Sequence, residues 1–401
     1  MIKITKTIFL EDIIVQSANA GIKMQRPDGS MPAGHNGPWN DPDTSVRNTA
    51  HWAITFYKAY KISEKDIFLK AAISACNYLL TPKARPNKGA FLCRTSKKKN
   101  KENGLIGQVW ALEPLVFLGN ALKCKEYLEL SRHILLQHKY EEEIHLWRNL
   151  NIDGRPGFIN GTFNQQVWFG SLALINSYYT GDKTLKSRAT DFFWHISTNV
   201  SWLERGLIGQ GISQYVLRKR SLRSKIKRCI KGGPNYVMQW GPNYVMQGIR
   251  SKLSKQQRSI GYLPFTSYGF ALAHATSKNE NWWREEKVRQ ILIDTLKYIQ
   301  TKRFYDESFK TKYGWSYNPI GFEIAYSLYV FQDLLEVNGN IDTIRPWVEL
   351  QLKKHWNPKS GLMNNDTSDP LTLSARLYEL TRLPNMKIDF SLKFLGGQNP
   401  K

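Results

Sequence analysis

The chain is poor in cysteine, in long apolar runs and in acid. Four cysteines stand in 401 residues, Cys76, Cys93, Cys124 and Cys229. They form no C-x-x-C pair and no ligand spacing, which argues against a zinc or other metal site and leaves free thiols. No window approaches the roughly 18–20 apolar residues of a membrane-spanning helix. The opening segment runs at once into Glu11 and Asp12. It lacks the apolar core and small-residue cleavage site of a signal peptide, so a cytoplasmic protein is expected. Asp and Glu number 33 against 57 Lys and Arg, a net charge of +24. Such an excess attracts polyanions: acidic polysaccharide, anionic membrane or nucleic acid. No nucleic-acid motif accompanies the charge, so nucleic acid is not expected as a partner. No cofactor is expected either. The 41% apolar and 22% charged residues fit a globular protein. Asn160-Gly161-Thr162 matches a glycosylation acceptor, read here as a turn.

What is present is a repeat. Trp52, Trp110 and Trp168 recur every 58 residues, in Thr-Ala-His-Trp, Gly-Gln-Val-Trp and Gln-Gln-Val-Trp. A fixed period with a helical core pattern means stacked copies of one supersecondary unit. Weaker copies begin at Tyr268, Phe322 and Leu371, making six mostly apolar helices. Six half-polar helices lie between them, over about 8–24, 64–81, 123–141, 182–198, 282–302 and 340–355, with apolar residues at three and four residue steps. The alternation predicts an all-α (α/α)6 toroid spanning residues 1–401 as one domain, apolar helices inside and half-polar helices outside. Long loops rich in Gly, Asn, Asp, Pro and Trp lead into the inner helices, and short turns lead out. Irregular loops gathered on one face of a rigid scaffold are where sites are built.

One interval breaks the rhythm. From Trp168 to Phe270 the step is 102 residues, which predicts an insertion over 200–262 between the third and fourth inner helices. It holds a tandem near-duplicate, Gly233–Trp240 and Gly241–Gly248, read as a loop duplication. It also holds residues 218–231, with eight basic side chains, no acid, and Leu222, Ile226 and Ile230 on one helical face. That pattern suits either an anionic membrane surface at the inner membrane or a solvated loop.

Candidate site residues follow from the open face. Asp41-Pro42 and Asp369-Pro370 read as helix caps. Asp43, Arg47, Asn48 and His51 remain at the first inner helix, Arg47 and His51 sharing a face. Gln108 opens the second, and Glu113 places a carboxylate inside an apolar helix. There it is either an acid with a raised pKa or the partner of an arginine. The third repeat offers Asp153 and the amides Asn164 and Gln165. The fourth and fifth offer Tyr268, Trp315, Tyr317 and Glu323; Glu323 lies in a first helical turn, where the dipole favours a base and where it is equally a good helix-start residue. Trp39 and Trp315, in loops, are the aromatic residues most suited to stack sugar rings.

Six helical hairpins with this loop-rich face resemble the six-hairpin glycosidase superfamily, which includes unsaturated glucuronyl hydrolases, N-acylglucosamine 2-epimerases and toroid polysaccharide lyases. The resemblance covers nearly the whole chain as architecture. It implies two enzymatic functions, and the basic segment adds a third. The first is a glycoside hydrolase acting on an acidic oligo- or polysaccharide in bacterial surface-polysaccharide metabolism, with Glu113 as acid, Asp43 or Asp153 as base, and Arg47, Asn164 and Gln165 binding. The second is a lyase or epimerase, with His51 or Tyr268 as base. Epimerases of the superfamily use two inner-helix histidines, for which His51 and His274 are available; the lyases use an Asn/His/Tyr/Arg group, whereas Asn164 here precedes Gln165. The third is a non-catalytic glycan-binding protein of an assembly pathway.

Overall fold

The computed structural model describes residues 7–97, 99–213, 242–335 and 340–390. Twelve principal helices alternate among these residues: α1 (Leu10–Met24), α2 (Val46–Ser63), α3 (Asp66–Leu80), α4 (Gly104–Ala121), α5 (Lys125–Gln137), α6 (Phe163–Thr180), α7 (Lys183–Trp194), α8 (Pro242–Ser277), α9 (Glu286–Ile299), α10 (Ile320–Val330), α11 (Ile341–His355) and α12 (Pro370–Ala375). A 3-10 segment, Arg376–Arg382, prolongs α12. The even-numbered helices form the inner ring: each touches the next, and α12 with its extension returns to α2. The expected (α/α)6 toroid is therefore the fold.

The burial pattern explains which helices go inside. In α4 every residue from Gly104 to Val116 is buried, so it has no solvent face. In α9 Val288, Ile291, Leu292, Thr295, Leu296 and Ile299 form one buried stripe, which marks an outer helix. The repeat tryptophans lock neighbouring helices. Trp52 and Trp168 are fully buried. A methyl on Gly21 of α1 would lie 2.5 Å from the Trp52 ring, so only glycine lets the first outer helix close on α2. Trp110 differs from them, because its ring faces a cavity.

Seven short strands complete the described chain: β1 (Thr7–Phe9), β2 (Tyr140–Glu141), β3 (Leu146–Leu150), β4 (Pro156–Ile159), β5 (Trp202–Glu204), β6 (Leu207–Ile208) and β7 (Lys387–Asp389). Strand β1 pairs antiparallel with β7, tying the two ends of the ring together. Strands β2, β3 and β4 form a small sheet before α6. No helix among the described residues is long and apolar enough to cross a membrane.

Two local expectations are corrected. Asp41-Pro42 does not cap α2, which starts at Val46; the Asp41 carboxylate is taken instead by Arg94 and Lys99, at 3.3 and 2.8 Å. The second octapeptide copy is not loop, because from Pro242 it belongs to α8. Residues 200–213 of the expected insertion return to the third repeat, where Thr162 bridges Gly211. The first octapeptide copy and the basic stretch 218–231 lie outside the described residues.

Candidate functional site

The loops entering the inner helices surround a cavity of about 420 Å³. Its first wall is the turn Gly37–Trp39, flanked by Asn36 and Asn40 in left-handed backbone at φ 60° and 48°. Asparagine tolerates that region because its short amide can bond locally. Asp369 pins the turn from across the ring. Its carboxylate caps α12 at Thr372 N and also accepts the His35 and Gly37 N–H groups, at 3.1 and 2.9 Å. The cap reading of Asp369 thus holds, and the same carboxylate ties the two ends of the ring. Gly37 has φ +54°, and a methyl there would strike the Tyr317 ring at 2.1 Å.

This turn delivers Asn36 to the cavity floor. Its Oδ1 accepts from Arg47 at 2.9 Å and from the Tyr317 hydroxyl at 2.7 Å. The Arg47 guanidinium lies 4.0 Å from the centre of the Trp110 ring. Two of its nitrogens are buried without a hydrogen-bond partner, and Asp43 stands 3.6 Å away. Trp39 donates its indole N–H to the Tyr262 hydroxyl at 2.9 Å. Lys99 and Arg258 lie over the Trp39 ring, at 5.4 and 5.2 Å. Arg258 has no carboxylate partner among the described residues. The opposite wall is amide: Asn164 donates to Gln210 at 3.1 Å, and Gln165 accepts from Asn160 at 2.8 Å.

Burial sets the protonation states. It pushes the Asp43 carboxyl up to about 7, against the pull of Arg47 and with Asp369 and Asp41 adding to the rise. It holds the His51 imidazole well below its usual range, and Arg47, Arg376 and Arg382 push the same way. It holds the Tyr262 phenol well above its usual range. Burial and neighbouring charge are two of the three causes by which environments move titrations.

The structure divides the expected site residues. Trp39, Asn164 and Gln165 line the cavity. Arg47, with Asp43 at its side, packs beneath the lining rings of Trp110 and Tyr317. Asn48 donates to Pro32 O at 2.9 Å and serves the loop. His51 lies deeper, stacked on Tyr378 at 4.3 Å, with both ring nitrogens unpartnered. Gln108 is buried and holds the backbone of Phe91 and Glu102.

Glu113, Glu323 and Tyr268 do not line the cavity; they belong to a charged hub at the ring's centre. Glu113 pairs with Arg382 at 2.6 Å, which also bonds the Tyr268 hydroxyl at 2.8 Å. Of the two readings of Glu113, the arginine partner is the one observed. Glu323 and Glu379 both take Arg376, at 2.6 Å. Burial and the neighbouring Glu379 raise the Glu323 carboxyl well above its range. Glu323, expected as a base on the open face, thus stands paired in the hub and away from the cavity lining. Asp153 sits on an exposed turn, paired with Arg155 at 3.0 Å. Trp315 is not a loop subsite. It is buried on Phe309, with its N–H on Ser308 at 2.9 Å. His274 packs on Trp283 and Phe331 and shares none of His51's ring neighbours.

Sequence reasoning missed Asn36, Arg94, Lys99, Gln210, Arg258 and Tyr262 in the cavity wall. It also missed Arg376, Glu379 and Arg382 in the hub, although charges at three-residue steps inside an apolar helix carry that signal.

No family model matches the sequence. Archaeal glycosylation protein Q of Haloferax volcanii is 32% identical over 380 residues, covering 94% of this chain and 98% of its own. Among solved structures, cellobiose 2-epimerase from Bacillus thermoamylovorans superposes with a TM-score of 0.62 at 10% identity, over 92% of this chain and 98% of that one. D-mannose isomerase gives 0.57 at 13%, over 92% and 96%. An α-1,6-mannanase of Salegentibacter in complex with α-1,6-mannotriose gives 0.51 at 9%, over 93% and 98%. At these identities the solved structures establish the toroid fold.

Proposed function

Because the chain belongs to the family of archaeal glycosylation protein Q, we propose that it is a carbohydrate-active enzyme working on an anionic sugar of a glycan. We further propose that its reaction starts by removing the proton beside the sugar's carboxylate. The observation that carries this reading is the composition of one cavity wall. Arg94, Lys99 and Arg258 stand there with a single carboxylate, Asp41, among aromatic rings and amides. The surplus positive charge suits a uronate carboxylate. Trp39 offers a face for the sugar ring, and Asn164 and Gln165 read hydroxyls. Neutralising the carboxylate acidifies the neighbouring C–H bond. Tyr317, whose hydroxyl donates to Asn36 beside the Arg47 guanidinium, takes that proton after giving its own hydroxyl proton to solvent. Tyr262, kept protonated by burial, returns a proton to the leaving oxygen in an elimination or to the opposite face in an epimerisation.

A specific observation favours a second reading, hydrolysis. Asp43, raised to about 7, is an acid set beneath the cavity wall, and Asp41, whose charge adds to that rise, lines the cavity. Incubation with uronate-containing oligosaccharides in deuterated water separates the two. An ultraviolet-absorbing unsaturated uronate, or deuterium at the carbon beside the carboxylate, supports proton abstraction. Saturated new reducing ends without deuterium establish hydrolysis and overturn it, and tight binding without product makes the chain a glycan-binding protein. We place the protein in the cytoplasm, its basic stretch 218–231 against an anionic membrane. Deleting that stretch lowers binding to anionic vesicles; unchanged binding removes this placement.

A further inference from the structure

A second cluster of chemistry-bearing side chains lies on the outside of the ring. His145 ends the β2–β3 turn with φ 56°, in the left-handed region that histidine enters more readily than most non-glycine residues. His195 and Asp191 come from the end of α7. The two imidazoles stack in parallel, 3.8 Å apart at 8°. Both bring Nδ1 to Asp191: His145 bonds its carboxylate at 2.8 Å, and His195 bonds its main-chain oxygen at 3.0 Å and lies 3.1 Å from the carboxylate. One ligand-type atom from each of the three lies within 4.8 Å of the others. The Tyr140 hydroxyl donates to Asp191 at 2.6 Å and orients it from behind, the arrangement by which an outer group fixes a metal-ligating carboxylate. A cavity of about 580 Å³ opens beside Asp191 and His195, leaving room for water in further coordination positions.

We propose that His145, Asp191 and His195 bind a divalent transition-metal ion of the zinc type. Two imidazole nitrogens and one carboxylate oxygen, with no thiol, suit such an ion at about 2.0–2.2 Å from each atom. Binding turns the two imidazoles out of their stack and takes each as the neutral tautomer with its hydrogen on Nε2, so the Nδ1 contacts to Asp191 give way to metal bonds and no proton need leave the rings. The ion is a fastening. It joins the hairpin that leads through β4 to Gly161 and Thr162 with the segment that leads to Gln210 and Gly211, and these four residues line the glycan cavity. The two segments already meet through Asn199 to Ile144 O at 3.2 Å and Ile212 N to Gly161 O at 3.1 Å.

The test is zinc titration of the chelator-stripped full-length protein by calorimetry, with cobalt(II) as a visible-light probe. The proposal expects one ion per chain, a cobalt band of nitrogen and oxygen ligation, and a higher melting temperature with metal. His195→Gln and, separately, His145→Gln weaken binding at least tenfold while far-ultraviolet circular dichroism stays unchanged. Absence of saturable binding near one equivalent overturns the site. So does equal affinity in wild type and both variants, which places the ion elsewhere. Should one variant fail to fold, the other decides.

Discussion

Asp43 and Glu113 are both carboxylic acids that burial pushes upward, yet their neighbours give them different work. Glu113 faces Arg382 in the hub. Removing one partner of a buried pair leaves the other charge stranded, at about 3–5 kcal/mol. Glu113→Ala therefore lowers the urea midpoint strongly but leaves glycan affinity in the cavity unchanged. A variant of native stability with abolished turnover contradicts that assignment and returns Glu113 to the chemistry. Asp43 carries a pH signature. Its folded pKa, about 7, lies above the unfolded value of 3.8, so the folded state holds the proton more tightly. Its contribution to stability is present below pH 3.8 and is lost as pH rises through about 7, each unit being worth about 1.4 kcal/mol. Melting temperature against pH is expected to fall across that window in the wild type and to fall less in Asp43→Asn. Parallel curves refute the shift.

At the scale of elements, the 58-residue interval carries more than tryptophans. Gln108 and Gln166 occupy the same repeat position on α4 and α6, two residues before Trp110 and Trp168. Each clasps the loop that precedes its own helix. Gln108 accepts from Phe91 N at 2.7 Å, and Gln166 accepts from Trp147 N at 3.0 Å while donating to Trp147 O and Asn160 O. Gln166→Ala removes three hydrogen bonds and takes this partner from Trp147 N and Asn160 O, while Trp147 O keeps Asn160 N at 3.3 Å; each stranded group costs about 1–3 kcal/mol. The expected result is a protein several degrees less stable, with faster amide exchange in residues 147–160; an unchanged exchange pattern there dismisses the clasp. This repeat shows why the ring was legible in the sequence and the site was not. Apolar stripes and fixed intervals are periodic signals that burial imposes on helices. The cavity is built from single residues in irregular loops, such as Asn36 and Asn103 in left-handed backbone. Their meeting depends on ring closure. Asn164 and Gln165 were legible because they stand at the start of α6, and Trp39 because it is an aromatic residue in a loop. Arg94, Lys99 and Arg258 were not, since in a chain with 57 basic residues no local pattern separates three of them.

The whole molecule joins these scales through its charge. A toroid gathers one end of every inner helix around a common axis, and here the segments of the first five repeats line one volume. The net charge of +24 surrounds that volume with positive potential. The cavity concentrates it, since Asp41 is its single lining acid among the described residues. Salt weakens such attraction over a Debye length of about 8–10 Å at 0.10–0.15 M. Affinity for a uronate oligosaccharide is therefore expected to fall severalfold between low and moderate ionic strength, whereas a neutral oligosaccharide of equal length changes little. Arg258→Ala lowers uronate affinity at low salt and flattens its salt dependence without altering the melting temperature, because the arginine has no carboxylate partner to strand. Calorimetric titration at several salt concentrations checks both. Equal salt slopes for charged and neutral glycans, or for wild type and Arg258→Ala, show that the sugar's charge is not what this cavity reads.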